Sequence, residues 1–193
     1  MNLEHREQTM TDKRSSDEQQ KLLLEIIKRF DGYINATNSK IAVVLSYCMA
    51  YIGGLGFKLV DLSDKRDHDW AWWSLLCVSL LSVLATLVAA QYAYRALKPQ
   101  TPTGRALHEE PSVVFFGDVA SHAGGRDGYS AYLASRTAEH IVADLSSQAH
   151  VLATIAASKF RLLGSGITWL VRVQLPSFGV VLVMLITALS KAN

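Results

Sequence analysis

The chain has 193 residues, half of them hydrophobic and 19% charged, with a formal net charge of +2. A balance so near neutral gives no case for nucleic-acid binding, which rests on neutralising phosphates. The two cysteines, Cys48 and Cys77, both fall in apolar runs, so they give no disulfide framework and no metal-binding spacing.

The averages hide where the charge is missing. Residues 41–57, 70–94 and 173–190 carry no Asp, Glu, Lys or Arg. A helix rises about 1.5 Å per residue, so ~20 apolar residues cross the hydrocarbon core. The first run reaches span length by reading on through Lys58 and Leu59, because a lysine at a helix end can snorkel to the headgroups. The expected fold is therefore an all-α membrane protein. It has a two-helix transmembrane hairpin, a cytoplasmic helical segment and a third transmembrane helix near the C-terminus.

In chain order, residues 1–14 mix both charge signs without an apolar period and are expected to be disordered. The polar stretch 1–20 has no apolar core of a signal peptide. Ser15 with Glu18, or Ser16 with Gln19, fits a capping box. Leu22, Leu23, Ile26, Ile27, Phe30, Tyr33 and Ile34 follow at helical spacing and predict an amphipathic helix over 15–40. That helix either lies on the inner membrane surface or packs on another cytoplasmic helix. Its mixed charges favour packing.

The first span is set at 41–59, with Gly53, Gly54 and Gly56 read as a close-packing surface. A polar connection, 60–69, leads to the second span, 70–94. Trp70, Trp72 and Trp73 mark one interface of this span, and Tyr92 and Tyr94 mark the other. Ser79, Ser82, Thr86, Ala89 and Ala93 form one small, hydroxylated face, which suits helix packing or the lining of a pore.

Positive charge sets the orientation. Residues 1–40 hold seven Lys and Arg and residues 95–161 another seven, against three in the connection between the spans. Both rich segments are expected in the cytoplasm, with residues 60–69 in the periplasm. The cytoplasmic segment 95–172 begins with a linker, 99–111, followed by the apolar run 112–118 and a glycine loop, 122–128. A long helix is expected over about 130–172, with Ile141, Leu145, Leu152, Ile155 and Leu162 on one stripe. About 60 such residues are few for an independent core, so packing on the N-terminal helix or within a homo-oligomer is expected. Arg172 is placed near the cytoplasmic interface, because a charge at mid-bilayer is costly. The third span is then 173–190, with Pro176 in its first turn and 191–193 as a tail. A re-entrant or surface-lying helix is the alternative.

No catalytic or metal-binding constellation emerges, and the chain is not expected to be an enzyme. His140 and His150 are about 15 Å apart along a helix, too far for one metal. The loop 122–128 lacks the Gly-Lys-Ser/Thr ending of a phosphate-binding loop. Phe115, Phe116 and Tyr129 offer stacking surfaces, while Arg126, Lys159 and Arg161 can neutralise a phosphate. Equally, the phenylalanines can be buried anchors and the basic residues membrane-flanking charges.

The order of features nevertheless resembles a known family. Asn35-Ala36-Thr37-Asn38-Ser39-Lys40-Ile41 leads into a span. Pro111-Ser112-Val113-Val114-Phe115-Phe116-Gly117-Asp118-Val119 follows the second, then Tyr129 and Tyr132-Leu133. The last helix carries Asp144-Leu145, Gln148-Ala149-His150 and Lys159-Phe160-Arg161-Leu162-Leu163. This resembles the transmembrane effectors of Pycsar, a bacterial anti-phage system, over roughly residues 20–190. The resemblance implies that a partner uridylate or cytidylate cyclase makes cyclic UMP or cyclic CMP. The effector would sense that nucleotide without any other cofactor and impair the inner membrane, arresting or killing the infected cell. It also implies a nucleotide site at Phe115, Phe116, Gly117 and Asp118, with Tyr129, Lys159 and Arg161 contributing. A SLATT-type pore-forming effector gated by another nucleotide or a partner protein, and a non-signalling scaffold, share the same plan.

Overall fold

The computed structural model describes residues 3–64, 69–98 and 110–190, with side chains from Ser15 onward. Residues 3–14, expected to be disordered, form the first turns of a helix, and only Met1 and Asn2 of that stretch lie outside the described backbone. The linker 99–109, the core of the connection at 65–68 and the tail 191–193 also lie outside the described residues. All regular structure among the described residues is helical: α1 (Leu3–Ser63), α2 (Trp70–Leu97), α3 (Phe116–Ala120), α4 (Gly125–Ala134), α5 (Ala138–Trp169), a π-helical turn (Leu170–Gln174) and α6 (Leu175–Ser190). Three of the helical segments are long and apolar enough to cross a membrane: Ser15–Ser63, Trp70–Leu97 and Ala138–Ser190.

Local chemistry explains most boundaries. α1 contains no proline, so the amphipathic segment and the first span form one helix without a break. Asp69 caps α2, its carboxylate accepting from the Trp72 backbone N–H at 2.9 Å. The long helix starts at Ala138 rather than near residue 130. Thr137 supplies the reason, its Oγ1 accepting from the His140 backbone N–H at 3.4 Å and so opening a new N-terminus. The glycine loop is also shorter than expected. It ends where Gly124, at φ +89°, and Gly125, at φ +60°, turn the chain into α4.

The chain divides into two compact units. The first comprises residues 1–35 and 99–157, and the second residues 36–98 and 158–193. In the second unit, the end of α1, α2 and the run from α5 through α6 form a three-helix bundle. Ile41, Ala93, Ala96 and Leu163 close one end, and Leu62, Trp72, Leu75 and Ala188 close the other. Polar contacts hold the middle. Tyr47 donates to Gln174 Oε1 at 2.9 Å, and Ser82 shares hydrogen bonds with Tyr51 and Ser177. Trp169 Nε1 donates to the Ala85 carbonyl at 2.8 Å. Ser79, Ser82, Thr86, Ala89 and Ala93 are all buried, so the small face of α2 is a packing face within the bundle. A Cβ at Gly166 would meet the Tyr92 Cβ at 3.2 Å, which shows how closely α5 approaches α2. By contrast, among the described residues nothing lies within 4 Å of a Cβ built at Gly53, Gly54 or Gly56, so these three meet no close neighbour there.

The register fixes where Arg172 stands relative to α2. The third membrane helix packs on α2 from Leu163 onward, well before residue 173. Ser177 pairs with Ser82, near the middle of α2. Arg172 precedes Ser177 by only about 7 Å along the axis, so it lies inside the membrane-length stretch. Pro176 falls in the first turn of α6, as expected, but that helix continues directly from the π turn before it. The proline ring cannot coexist with a normal helical carbonyl four residues back, and the π turn immediately before it widens the backbone there.

Candidate functional site

The first unit is organised around the run 110–118. Ser112 starts it as a local cap, its Oγ accepting from the backbone N–H of Phe115 at 2.9 Å and of Val114 at 3.2 Å. Two carboxylates then fix this turn. Asp118 accepts from the Ser112 N–H at 3.0 Å. Asp144 Oδ2 accepts from Ser112 Oγ at 2.9 Å and from the Val113 N–H at 2.7 Å. Two tyrosines of α4 complete the frame: Tyr129 donates to the Val113 carbonyl at 2.7 Å and Tyr132 to the Pro111 carbonyl at 2.8 Å. A short non-helical run is thus held at nearly every polar backbone group, as a partly buried loop requires.

One face of this frame bounds a pocket of about 230 Å³. Its walls include Glu110, Ser112, Tyr132, Arg136, His140 and Asp144. Arg136 is its dominant charge. The guanidinium lies 4.0 Å from the centre of the Tyr132 ring and bonds Glu110 at 2.6 Å. Its Nε is buried with no partner among the described residues. The Glu110 carboxylate is largely exposed, so the ion pair sits at the mouth, where water screens it. A planar donor fork with a spare N–H, beside an aromatic ring and two carboxylates, suits a small ligand carrying an anionic group and hydroxyl or amide donors.

The residues singled out in the sequence divide between the two units. Phe115 is buried, and its ring packs so closely on Gly117 that a Cβ there would come within 2.7 Å. Asp118 is buried and engaged by Ser112, and Tyr129 by Val113. These four shape the frame behind the pocket. Phe116 stays 66% exposed, with its ring tilted against Phe115. Lys159 and Arg161 belong to the other unit. Lys159 is buried there, donating to the Ala96 carbonyl at 2.6 Å and to Asn38 Oδ1 at 3.0 Å, while Arg161 is exposed. Sequence reasoning left Tyr132, Arg136 and His140 out of the site. Only His140 and Asp144 share a helical spacing on one element; Tyr132 lies on α4 and Arg136 beyond its end, so no single period marks the four.

Fold and pocket together define a small helical membrane protein with a small polar-walled pocket in a unit separate from its membrane bundle. Comparison with known proteins identifies its kind. Residues 22–189 match the family model described as the Pycsar effector protein domain, so the chain belongs to that family of transmembrane antiviral-defence effectors. A curated relative is the Pycsar effector protein EcPycTM of Escherichia coli, 29% identical over 156 residues, spanning 79% of this chain and 83% of the relative. No solved structure matches.

Proposed function

We propose that this chain is the membrane-impairing effector of a cyclic-nucleotide defence system. It reads cyclic UMP or cyclic CMP made by a partner cyclase and acts by binding rather than catalysis. The observation that carries the reading is the pocket around Arg136 in a family of Pycsar effectors. Arg136 Nε and the outer guanidinium N–H groups are donors for the cyclic phosphate, displacing the solvent-screened Glu110. Tyr132 and His140 offer surfaces to the base, and the carboxylate of Asp144 accepts from a ribose hydroxyl or a base N–H. The volume lies below the ~300 Å³ at which typical ligand pockets begin, favouring a mononucleotide over a cyclic dinucleotide.

Positive charge at 1–40 and 95–161 supports a cytoplasmic N-terminus and a pocket on the cytoplasmic side of the bacterial inner membrane. α5 carries His140 and Asp144 near its start and runs unbroken to Trp169, which gives occupancy of the pocket a path to the bundle. Nucleotide drives the output only through unequal affinity for two arrangements of that helix. Calorimetric titration of the purified full chain with cyclic UMP and cyclic CMP tests the reading. One of them should bind, and Arg136→Ala should weaken binding at least about 30-fold, the loss of a charge-assisted contact. Wild-type protein that binds neither nucleotide refutes the proposal.

A further inference from the structure

The third membrane helix carries a polar stripe that the bundle does not use. Arg161, Ser165, Thr168 and Arg172 follow one another at three- and four-residue steps, which places them on one helix face. All four are exposed. The ion pairs among the described residues are Lys58–Asp61 and Arg136–Glu110, so neither Arg161 nor Arg172 has a carboxylate partner there. The opposite face of the same helix is the one that packs, through Leu163, Gly166 and the fully buried Gln174.

Depth makes Arg172 the telling member. It lies about 7 Å from the level of the Ser82–Ser177 pair near the middle of α2. Half the hydrocarbon core is about 15 Å. A backbone at that depth leaves the guanidinium in a costly place wherever the side chain does not reach the headgroups. Such residues turn to a bundle interior or to a water-filled cavity, and mark ion pathways. The interior of this bundle is closed to it, being filled by Gln174, Val181 and the hydroxyl face of α2. The burial of Ser79, Ser82 and Thr86 also removes α2 as a pore lining. Arg172 borders the π turn, an irregularity that recurs at functional sites in helices.

We propose that copies of this chain assemble with the Arg161–Arg172 face of the third membrane helix turned toward a shared, water-filled, anion-selective pore. This deepens the reading of the chain as a membrane-impairing effector by naming what crosses the membrane. The occupant of the exposed face is then further copies of the chain and the water between them, and the arginines form rings that favour anions. The competing fate is snorkelling, in which the long side chain reaches the headgroups and the backbone around it faces lipid.

The two fates separate when the side chain is shortened. Arg172→Cys and Ile167→Cys are placed in a chain with Cys48 and Cys77 replaced by alanine. Each is reconstituted in phosphatidylethanolamine–phosphatidylglycerol vesicles and exposed to a charged methanethiosulfonate reagent. Only a water-exposed thiol ionises and reacts. Arg172→Cys should react at least about 10-fold faster than Ile167→Cys, which is on another face and nearer the membrane surface, with or without nucleotide. Equal, negligible reaction at both positions under both conditions overturns the pore whatever calorimetry says, and calorimetry alone decides the nucleotide reading. In the unaltered cysteine background, Arg172→Glu should reverse a chloride-over-potassium preference measured as a reversal potential. A preference unchanged by that reversal of charge also overturns the proposal.

Discussion

Lys159 offers the sharpest test of how the bundle is held. The residue is 5% exposed, and its ammonium donates to the Ala96 carbonyl at 2.6 Å and to Asn38 Oδ1 at 3.0 Å. Ala96 lies in the last turn of α2, where carbonyls lack helical partners and a cation meets the negative end of the helix dipole. One side chain of α5 thereby ties the start of the first span to the end of the second. Lys159→Met keeps the length and apolar contact but removes the donor. Each charge-assisted bond contributes about 1.5–3 kcal/mol, and a methionine recovers part of this by avoiding the burial of a charge. A net loss of about 2–4 kcal/mol follows. At about 2–4 °C per kcal/mol for a chain of this size, the unfolding midpoint in detergent should fall by roughly 5–15 °C. Because the two residues touch, Lys159→Met and Asn38→Ala should be non-additive by about 1 kcal/mol in a double-mutant cycle. A midpoint within 2 °C of wild type (about one such kcal/mol or less) together with full additivity would refute the clasp. It would leave the amine free to meet a phosphate, as the sequence alone suggests.

Two further outcomes check the packing and the pocket frame. Gly166→Leu should destabilise the protein by about 1–3 kcal/mol, because a Cβ already meets Tyr92 at 3.2 Å; Gly164→Leu, with nothing within 4 Å, should stay within about 0.5 kcal/mol of wild type by the same thermal assay. Asp144→Ala removes the acceptor for Ser112 Oγ and the Val113 N–H, so amide hydrogen exchange over residues 112–115 should accelerate at least about 10-fold, and unchanged exchange would show that the frame does not depend on it.

The elements legible in the sequence are those governed by one-dimensional rules. α2 reads directly, from its tryptophans through an uncharged run to tyrosines near its end, because span length depends only on nearby residues, whereas its Asp69 cap emerges only in the structure. The Ser15–Gln19 capping signal lies within α1, since an amphipathic segment without proline or another breaker continues as helix into the span. The pocket was hidden for a different reason. Tyr132 and Arg136 are separated from His140 and Asp144 by the Thr137 cap, so no single helical period covers all four. Glu110 joins them only through the folding of the 110–118 run. The conspicuous Phe115–Asp118 motif drew attention as a ligand site, yet Phe115 and Asp118 are engaged within the fold. A buried carboxylate must find donors, and Ser112 provides one.

Arg172 shows what a rule about single helices leaves out. Treated alone, a helix avoids a mid-membrane arginine by sliding until the charge reaches the interface. In the bundle that slide is blocked from several directions. Lys159 holds one end to Ala96, Gly166 fits against Tyr92, and Ala188 sits in the cluster with Leu62, Trp72 and Leu75. Moving Arg172 to the surface would require shifting the helix by about one and a half turns and breaking all of these contacts together. Each hydrogen bond in the middle of the bundle is weak by comparison, because polar pairs inside membranes average about 0.6 kcal/mol. A ligand whose affinity differs between two states by the usual 1–3 kcal/mol of coupling, about the strength of several such pairs, can therefore rearrange the Tyr47–Gln174 and Ser82–Ser177 contacts without unfastening the ends. One of those contacts is made by the last residue of the π turn and the other three residues beyond it. On the proposed function, a signal arriving along α5 would meet its least costly point of give beside an arginine that the bundle holds in place.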